Sequence, residues 1–344
     1  MSKTSLPPEW FHQDGILIAW PHANTDWDAS LDEVTTCYVE IARNIIADEL
    51  LVIVTPSAEL VQQHFDFDIT APNSPIRIAV MLTNDTWARD FGAITVIKDG
   101  HNIPLDFTFN AWGMKFAANH DNLINRHLQE HRLFKNNLEN HLDMVLEGGS
   151  IESDGNGTLM TTTQCLLSPN RNEQWGKTEI EHQLMKRLGA EQILWLDHGF
   201  IAGDDTDCHI DTLARFAPNN AIIYCGCNDP ADEHFVELQH MKEQLASFAN
   251  IYGKPFRLLE LPLPDPIFDD GYRLPATYAN FLITNKSVLV PTYGQPEKDK
   301  VAMNTIQDAF PHHTIKGVDC LPLIMQHGSL HCATMQFPDN TLNI

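Results

Sequence analysis

Short apolar runs recur along the chain at residues 15–20, 50–54, 76–81, 93–97, 221–224 and 287–290, and each ends near a Pro, Gly, Asn or Asp. Runs of this length bounded by turn residues predict buried strands. Between them, residues 30–48, 119–133, 177–188, 232–248 and 297–309 carry apolar positions at helical spacing. Strands alternating with helices predict an α/β chain.

A weaker pattern overlies this one. The polar clusters Trp87-Ala88-Arg89-Asp90, Glu147-Gly148-Gly149, Cys208-His209-Ile210-Asp211, Tyr278-Ala279-Asn280 and His331-Cys332 return roughly every 55 to 70 residues, a period that points to about five structural repeats. Periodicity alone does not separate repeats from a doubly wound sheet with inserted loops. No Pro- or Ser-rich linker divides the chain, and the stretch Leu261-Pro262-Leu263-Pro264-Asp265-Pro266 reads as a rigid loop, so a single domain over 1–344 is expected.

Composition narrows the function. With 344 residues and 43% hydrophobic content the chain can bury a large core. Its 22 Lys plus Arg against 46 Asp plus Glu give a net charge of -24, which repels phosphate backbones and anionic lipid and draws in cationic small molecules. Neither nucleic acid nor a membrane is expected as partner. The N-terminus shows no signal-peptide pattern, no apolar run approaches spanning length, and seven scattered cysteines do not suggest a disulfide framework, so a cytoplasmic location is expected.

Metal chemistry finds little support, since there is no CxxC pair and no HExxH, and nucleotide binding finds none in the absence of a Walker or GxGxxG pattern. His209-Ile210-Asp211 is more suggestive. On a strand, residues two apart share a face and would aim an imidazole and a carboxylate at one site, although a solvated acidic turn is the commoner setting. For Trp87-Ala88-Arg89-Asp90, composition alone favours Trp87 in the core and Arg89 paired with Asp90 or a neighbouring carboxylate at the surface, although a carboxylate beside an aromatic is also what a planar cation needs. Glu147 could add a carboxylate. A cysteine such as Cys332 is most often a small hydrophobe buried in a strand, and becomes reactive only beside a cation.

Together, Trp20-Pro21-His22, Thr25-Asp26-Trp27, Trp87-Ala88-Arg89-Asp90, Glu147-Gly148-Gly149, Leu166-Leu167-Ser168-Pro169-Asn170-Arg171-Asn172, the acidic segment 203–211 and His331-Cys332 resemble the agmatine deiminases, within the peptidyl-arginine deiminase-like branch of the guanidine-modifying enzymes. The resemblance runs in order from Trp10 to Pro338. It implies a five-bladed α/β propeller with a site at its axis, in which Cys332 attacks the guanidinium carbon and Asp90 and Asp211 bind its nitrogens. His209 would be general acid and base, Glu147 a carboxylate beside it, and Trp87 an aromatic wall. Neither metal nor organic cofactor is implied. The substrate would be agmatine, giving N-carbamoylputrescine on the way to putrescine, and homo-oligomers are common in the family.

Three positions depart from the family pattern: Gln326-His327-Gly328-Ser329 replaces a Gly-rich run, Cys208 replaces a Gly, and Ala93 replaces a Pro. None removes a reacting group. The rival readings are a deiminase of free or peptidyl arginine, a catalytically silent propeller that binds cations, and a zinc hydrolase.

Overall fold

The run at 50–54 forms the strand Leu50–Thr55, that at 15–20 forms Gln13–Ala19, and the helical pattern at 177–188 coincides with the helix Lys177–Leu188. That helix stops at Gly189, whose φ of 72° is the left-handed conformation that glycine adopts without strain. The helix Leu31–Ile46 buries Val34, Cys37, Tyr38, Ile41, Ala42 and Ile45, one face at three- and four-residue spacing. Truncating Ile41 on that face to Ala would cost about 2 to 5 kcal/mol.

The computed structural model describes residues 3–344 and confirms a mixed α/β fold. Among the described residues the strands form six separate sheets, none with more than four strands. A single doubly wound sheet is therefore not the architecture. The sheets also do not close into a barrel.

Five sheets share one plan. A first strand runs antiparallel to a second; a helix then leads to a third strand, parallel to the second on its far edge. The sets are Ile94–Lys98, His101–Thr108 and Glu139–Val145; Ile151–Ser153, Thr158–Thr162 and Gln192–Leu196; Ala214–Ala217, Ala221–Cys225 and Arg257–Leu261; and Leu282–Ile283, Ser287–Thr292 and Thr314–Asp319. The fifth set joins the two ends of the chain, with Thr334–Pro338 antiparallel to Gln13–Ala19 and Leu50–Thr55 parallel to it. Parallel pairing requires a long crossover, and the helices supply it. Among the described residues no helix is long and apolar enough to cross a membrane.

This plan gives the five polar clusters a structural meaning. Each lies in the turn that leads into the first strand of one of the five sheets. Equivalent turns from five sheets thus present the chain's polar groups.

Candidate active site

Asp90 sits in the short helix Ala88–Phe91, fully buried with its neighbours. Its Oδ1 accepts the Gly149 N–H at 3.0 Å and its Oδ2 accepts the Trp112 indole N–H at 2.9 Å. Burial pushes its carboxyl up to about 6, and the Asp211 and Glu147 carboxylates add to this, while His209 opposes it.

Gly149 belongs to the tight turn Gly148–Ser150. A Cβ there would lie 2.7 Å from His209 Nδ1, 2.8 Å from Asp90 Oδ1 and 3.1 Å from Asp211 Oδ2. Three functional side chains therefore converge on one backbone position, and only glycine leaves room for them.

His209 and Asp211 are not on a strand. His209 precedes the tight turn Ile210–Thr212, so the turn, and not strand alternation, aims both side chains inward. Oδ1 of Asp211 and both ring nitrogens of His209 are buried without a hydrogen-bond partner. His209 Nδ1 lies 3.6 Å from Asp90 and Nε2 3.8 Å from Glu147. Burial disfavours the charged ring, but Asp90, the Cys165 thiol and Glu147 outweigh it and raise its pKa well above the usual histidine range.

Glu147 is held by Arg171, whose Nε lies 3.0 and 2.9 Å from its two oxygens. Arg171 in turn bonds Asp207 at 2.6 Å and the Thr206 carbonyl at 2.8 Å. Burial works against the Glu147 charge, yet Arg171 and His209 keep its pKa below the usual glutamate value. Cys165, His209 and Glu147 bring their ligand-type atoms within 4.8 Å of one another. Because both Glu147 oxygens already accept from Arg171, that carboxylate is committed to the ion pair.

Cys332 also lies outside a strand, in the turn before Thr334–Pro338, and is 6% exposed. Its Sγ is 3.7 Å from Asp211 Oδ2 and 3.2 Å from Asn280 Nδ2. The Asn280 amide is oriented by its Oδ1, which accepts the backbone N–H groups of His331 at 2.9 Å and Cys332 at 3.2 Å. Its N–H therefore points at the sulfur. Burial, followed by the Asp211 and Asp90 carboxylates, pushes the thiol well above its usual range, so it is neutral near pH 7.

Trp87, Trp112, Phe116, Asp90 and Cys332 line a pocket whose remaining walls include Asp26, Asp85, Asp205 and His327. Trp87 packs on Trp27 with ring centroids 5.8 Å apart, and Gly328 lies so close to its ring that a Cβ there would collide with it. Trp112 occupies an unusual backbone. Ala111, Trp112, Gly113 and Met114 all have positive φ, at 53°, 55°, 89° and 66°. Non-glycine residues in that region cost about 1 to 3 kcal/mol each, and the bond to Asp90, with the Asn110 side chain accepting from Gly113 N, holds the segment there.

The structure thus brings Asp90, Asp211, His209, Glu147, Cys332 and Trp87 into one site. It corrects one of the sequence readings besides the strand placements: Arg89 is not a surface residue but is buried, 3.0 Å from Glu9. Sequence reasoning missed Trp112, Arg171 and Asn280 as site residues. Asn280 carried a usable signal, since it occupies the fourth of the five repeated clusters; Trp112 carried none.

Comparison with known proteins places the chain among the guanidine-modifying deiminases. The sequence pattern of the Porphyromonas-type peptidyl-arginine deiminases matches residues 5–338, and the chain belongs to that family. It is 32% identical over 340 residues to a Legionella pneumophila protein provisionally named agmatine deiminase, covering 97% of this chain and 94% of that one. Among solved structures, a protein of Porphyromonas gingivalis provisionally titled arginine deiminase is 46% identical with a TM-score of 0.93, covering 99% and 100% of the two chains. A C. jejuni agmatine deiminase, a cysteine-to-serine variant with substrate bound, is 40% identical with a TM-score of 0.91, covering 98% and 96%.

Proposed function

We propose that this protein hydrolyses agmatine to N-carbamoylputrescine and ammonia through a covalent adduct on Cys332. The observation that carries the proposal is the convergence of the Cys332 thiol, the Asp90 and Asp211 carboxylates and the unpartnered His209 ring beside a pocket that Asp90 and Cys332 line. A guanidinium is planar, and two carboxylates can fix its nitrogens while Trp87 covers a face. Its charge also lowers the cost of forming a thiolate between two carboxylates, the thiol proton being lost to solvent as the cation binds. The substrate then supplies a cation next to Cys332, whose own sulfur contacts are Asp211 and Asn280.

The thiolate attacks the guanidinium carbon and forms a tetrahedral adduct. His209, kept protonated by Asp90 and Glu147, gives its proton to the departing nitrogen, which leaves as ammonia. An amidino-thioether remains on Cys332. The same ring then takes a proton from water, whose oxygen adds to that carbon, and the thiol is released with a substituted urea. Arg171 keeps Glu147 ionised beside the ring throughout. The carboxylates and the Asn280 N–H hold carbon and sulfur in line.

The mouth of the pocket favours an amine at the far end of the substrate. Asp26 and Asp205 line it together with Asp85, whose carboxyl is pushed up to about 7 by burial, and His327 is the sole basic side chain among the lining residues. Free arginine would bring a carboxylate to this acidic rim, whereas the amine of agmatine is complementary to it. The C. jejuni agmatine deiminase with substrate bound supports the same choice. We further read the five sheets as blades of one pseudo-symmetric propeller, a single catalytic unit over residues 1–344, with the five turns meeting at its axis.

The test is ammonia release from agmatine, arginine and a blocked arginine peptide by the purified chain and by Cys332→Ala. Agmatine should give the highest kcat/KM and Cys332→Ala no release. Faster release from either arginine substrate would overturn the substrate assignment, and release by Cys332→Ala would overturn the mechanism. Binding of agmatine without release would identify a silent cation-binding protein.

A further inference from the structure

Away from the active site, His198, Glu237 and His240 bring three ligand-type atoms within 4.8 Å of one another. Glu237 and His240 lie three residues apart on the helix Phe235–Ser247, a spacing that puts both side chains on one face. His198 comes from a different element, the segment after the strand Gln192–Leu196. His198 Nδ1 lies 3.3 Å from Glu237 Oε2, and His240 Nδ1 lies 3.9 Å from Glu237 Oε1. The two rings stand 5.1 Å apart between centroids.

The segment carrying His198 is fixed against the helix. Gly199 has a φ of 104°, and a Cβ there would come within 2.7 Å of Met241 Sδ. The Gly199 N–H donates to Glu237 Oε2 at 3.4 Å. The trio is therefore pre-arranged by packing and does not depend on a mobile loop. Its side chains are 44%, 40% and 48% exposed for His198, Glu237 and His240, so an ion can enter and keep water on its open positions.

Convergence has an electrostatic consequence. At neutral pH an imidazole whose proton is on Nε2 presents its Nδ1 lone pair. A carboxylate only accepts, so the 3.3 Å His198–Glu237 contact holds either the Nδ1 proton or a metal ion, while the His240 contact at 3.9 Å is too long for a hydrogen bond and leaves room for an ion. We propose that His198, Glu237 and His240 form a binding site for a borderline divalent cation of the Zn2+, Cu2+ and Ni2+ class. Two imidazoles and one carboxylate with remaining positions open is a ligand set these ions accept. Mg2+ and Ca2+ prefer oxygen-only shells and are excluded by the two nitrogens. The net charge of -24 raises the local concentration of any such cation. Bound there, the ion ties the segment after Gln192–Leu196 to the helix Phe235–Ser247 and stabilises the folded chain.

The experiment uses the untagged chain and its His198→Ala/His240→Ala double variant, titrated calorimetrically with Zn2+ and separately with Mg2+. The wild-type chain should bind one more equivalent of Zn2+ than the variant and no Mg2+. Comparing the two chains cancels any Zn2+ taken up by the thiols, which both retain. Cu2+ loaded at one equivalent should show coupling to two imidazole nitrogens by electron paramagnetic resonance, falling to one in His240→Ala. Zn2+ should raise the melting temperature of the wild type more than that of the variant. Equal stoichiometry in the two chains, or Cu2+ spectra unchanged by His240→Ala, would overturn the site. The substituted side chains are about half-exposed, so the variants are expected to fold.

Discussion

His331 Nδ1 lies 2.8 Å from Asp211 Oδ2, while Nε2 of the same ring lies 2.8 Å from Glu9 Oε1. A neutral imidazole has one N–H and can donate to only one of these carboxylates. Glu9 is also bonded by Arg89 and Arg215. Burial works against its charge, but the two arginines and His331 hold it far below the usual glutamate range, so it stays ionised and accepts the Nε2–H. The Nδ1 side of the ring stays packed on Asp211, whose pKa is held below the usual aspartate value against its burial, with His331 the first cause. The N-terminal segment thereby braces one oxygen of Asp211 and leaves Oδ1 free for substrate.

Replacing Glu9 by Gln removes the charge that holds two buried arginines and the His331 ring. Breaking buried ion pairs of this kind costs about 3 to 5 kcal/mol, so urea denaturation of Glu9→Gln should show a loss of that order. Because the Glu9 pKa is depressed, its contribution is present above the unfolded glutamate value and is lost as pH falls below it. The gap between wild type and Glu9→Gln should therefore narrow only in acid. Ammonia release at saturating agmatine should also fall, by about tenfold or more, as Asp211 loses its brace. An unchanged rate would show that His331 does not position Asp211.

Gly149→Ala tests the convergence of the site. Gly149 does not have a positive φ, so its backbone accepts alanine, and the added methyl meets side chains of His209, Asp90 and Asp211. Overpacking costs about 1 to 3 kcal/mol of stability, which leaves the chain folded. Displacing three functional groups should lower kcat by about 10²-fold or more. Near-wild-type turnover would mean that these groups do not act together.

The reactivity of Cys332 should depend on the charge of its attacker. With its pKa raised by burial and by Asp211 and Asp90, the thiol is neutral at pH 7, and a neutral haloacetamide should label it slowly until the pH exceeds the usual thiol range. A cationic haloacetamidine can sit between the two carboxylates and should label it faster at pH 7. In Asp90→Asn that preference should shrink. Equal rates for the two reagents, compared by mass spectrometry after correction for their intrinsic reactivity, would exclude activation by the substrate's charge.

Much of the fold was legible because buried parallel strands read as continuous apolar runs, as in Leu50–Thr55 and Ser287–Thr292. Strands such as Thr158–Thr162 and Thr314–Asp319 were not. The first is threonine-rich although fully buried, and the second is a half-exposed edge strand. In the site, ionisable residues in the repeated turns were legible from chemistry. Trp112 was hidden because an aromatic among aromatics reads as core, and its left-handed backbone has no signature in Asn110-Ala111-Trp112-Gly113. Glu9 and Arg171 act from the far side of other residues, at separations that the sequence does not reveal.

Glu49 offers a stability prediction independent of the site. Both its carboxylate oxygens are buried without a hydrogen-bond partner, although the residue as a whole is partly exposed. Burial, with Asp48 beside it, raises its pKa to about 8 from an ordinary 4.5. A raised carboxyl pKa leaves stability unaffected below the unfolded value and destabilises progressively as pH rises toward the folded one. Glu49→Gln should therefore match the wild type near pH 4, gain through the interval from 4.5 to about 8, and level off above it. The expected gain at pH 8 is on the order of a few kcal/mol, read by urea denaturation. A constant difference across that interval would show that burial of the charge is not its source.

The acidic rim provides the last prediction. Asp26 and Asp205 line the same pocket as Asp90 and Cys332, and the proposed binding mode assigns them to the tail of a bound guanidine. Interactions with the tail are equal in ground and transition states, so removing them raises KM and leaves kcat nearly unchanged. Asp26→Asn/Asp205→Asn should raise KM for agmatine by about five- to tenfold at low salt, since each partly exposed charge contributes roughly 1 kcal/mol or less. Added salt should reduce the difference. A guanidine with an alkyl tail and no amine should be nearly indifferent to the same substitutions. A fall in kcat for both substrates would instead place these aspartates with the reacting groups and remove the basis for preferring an amine at the far end.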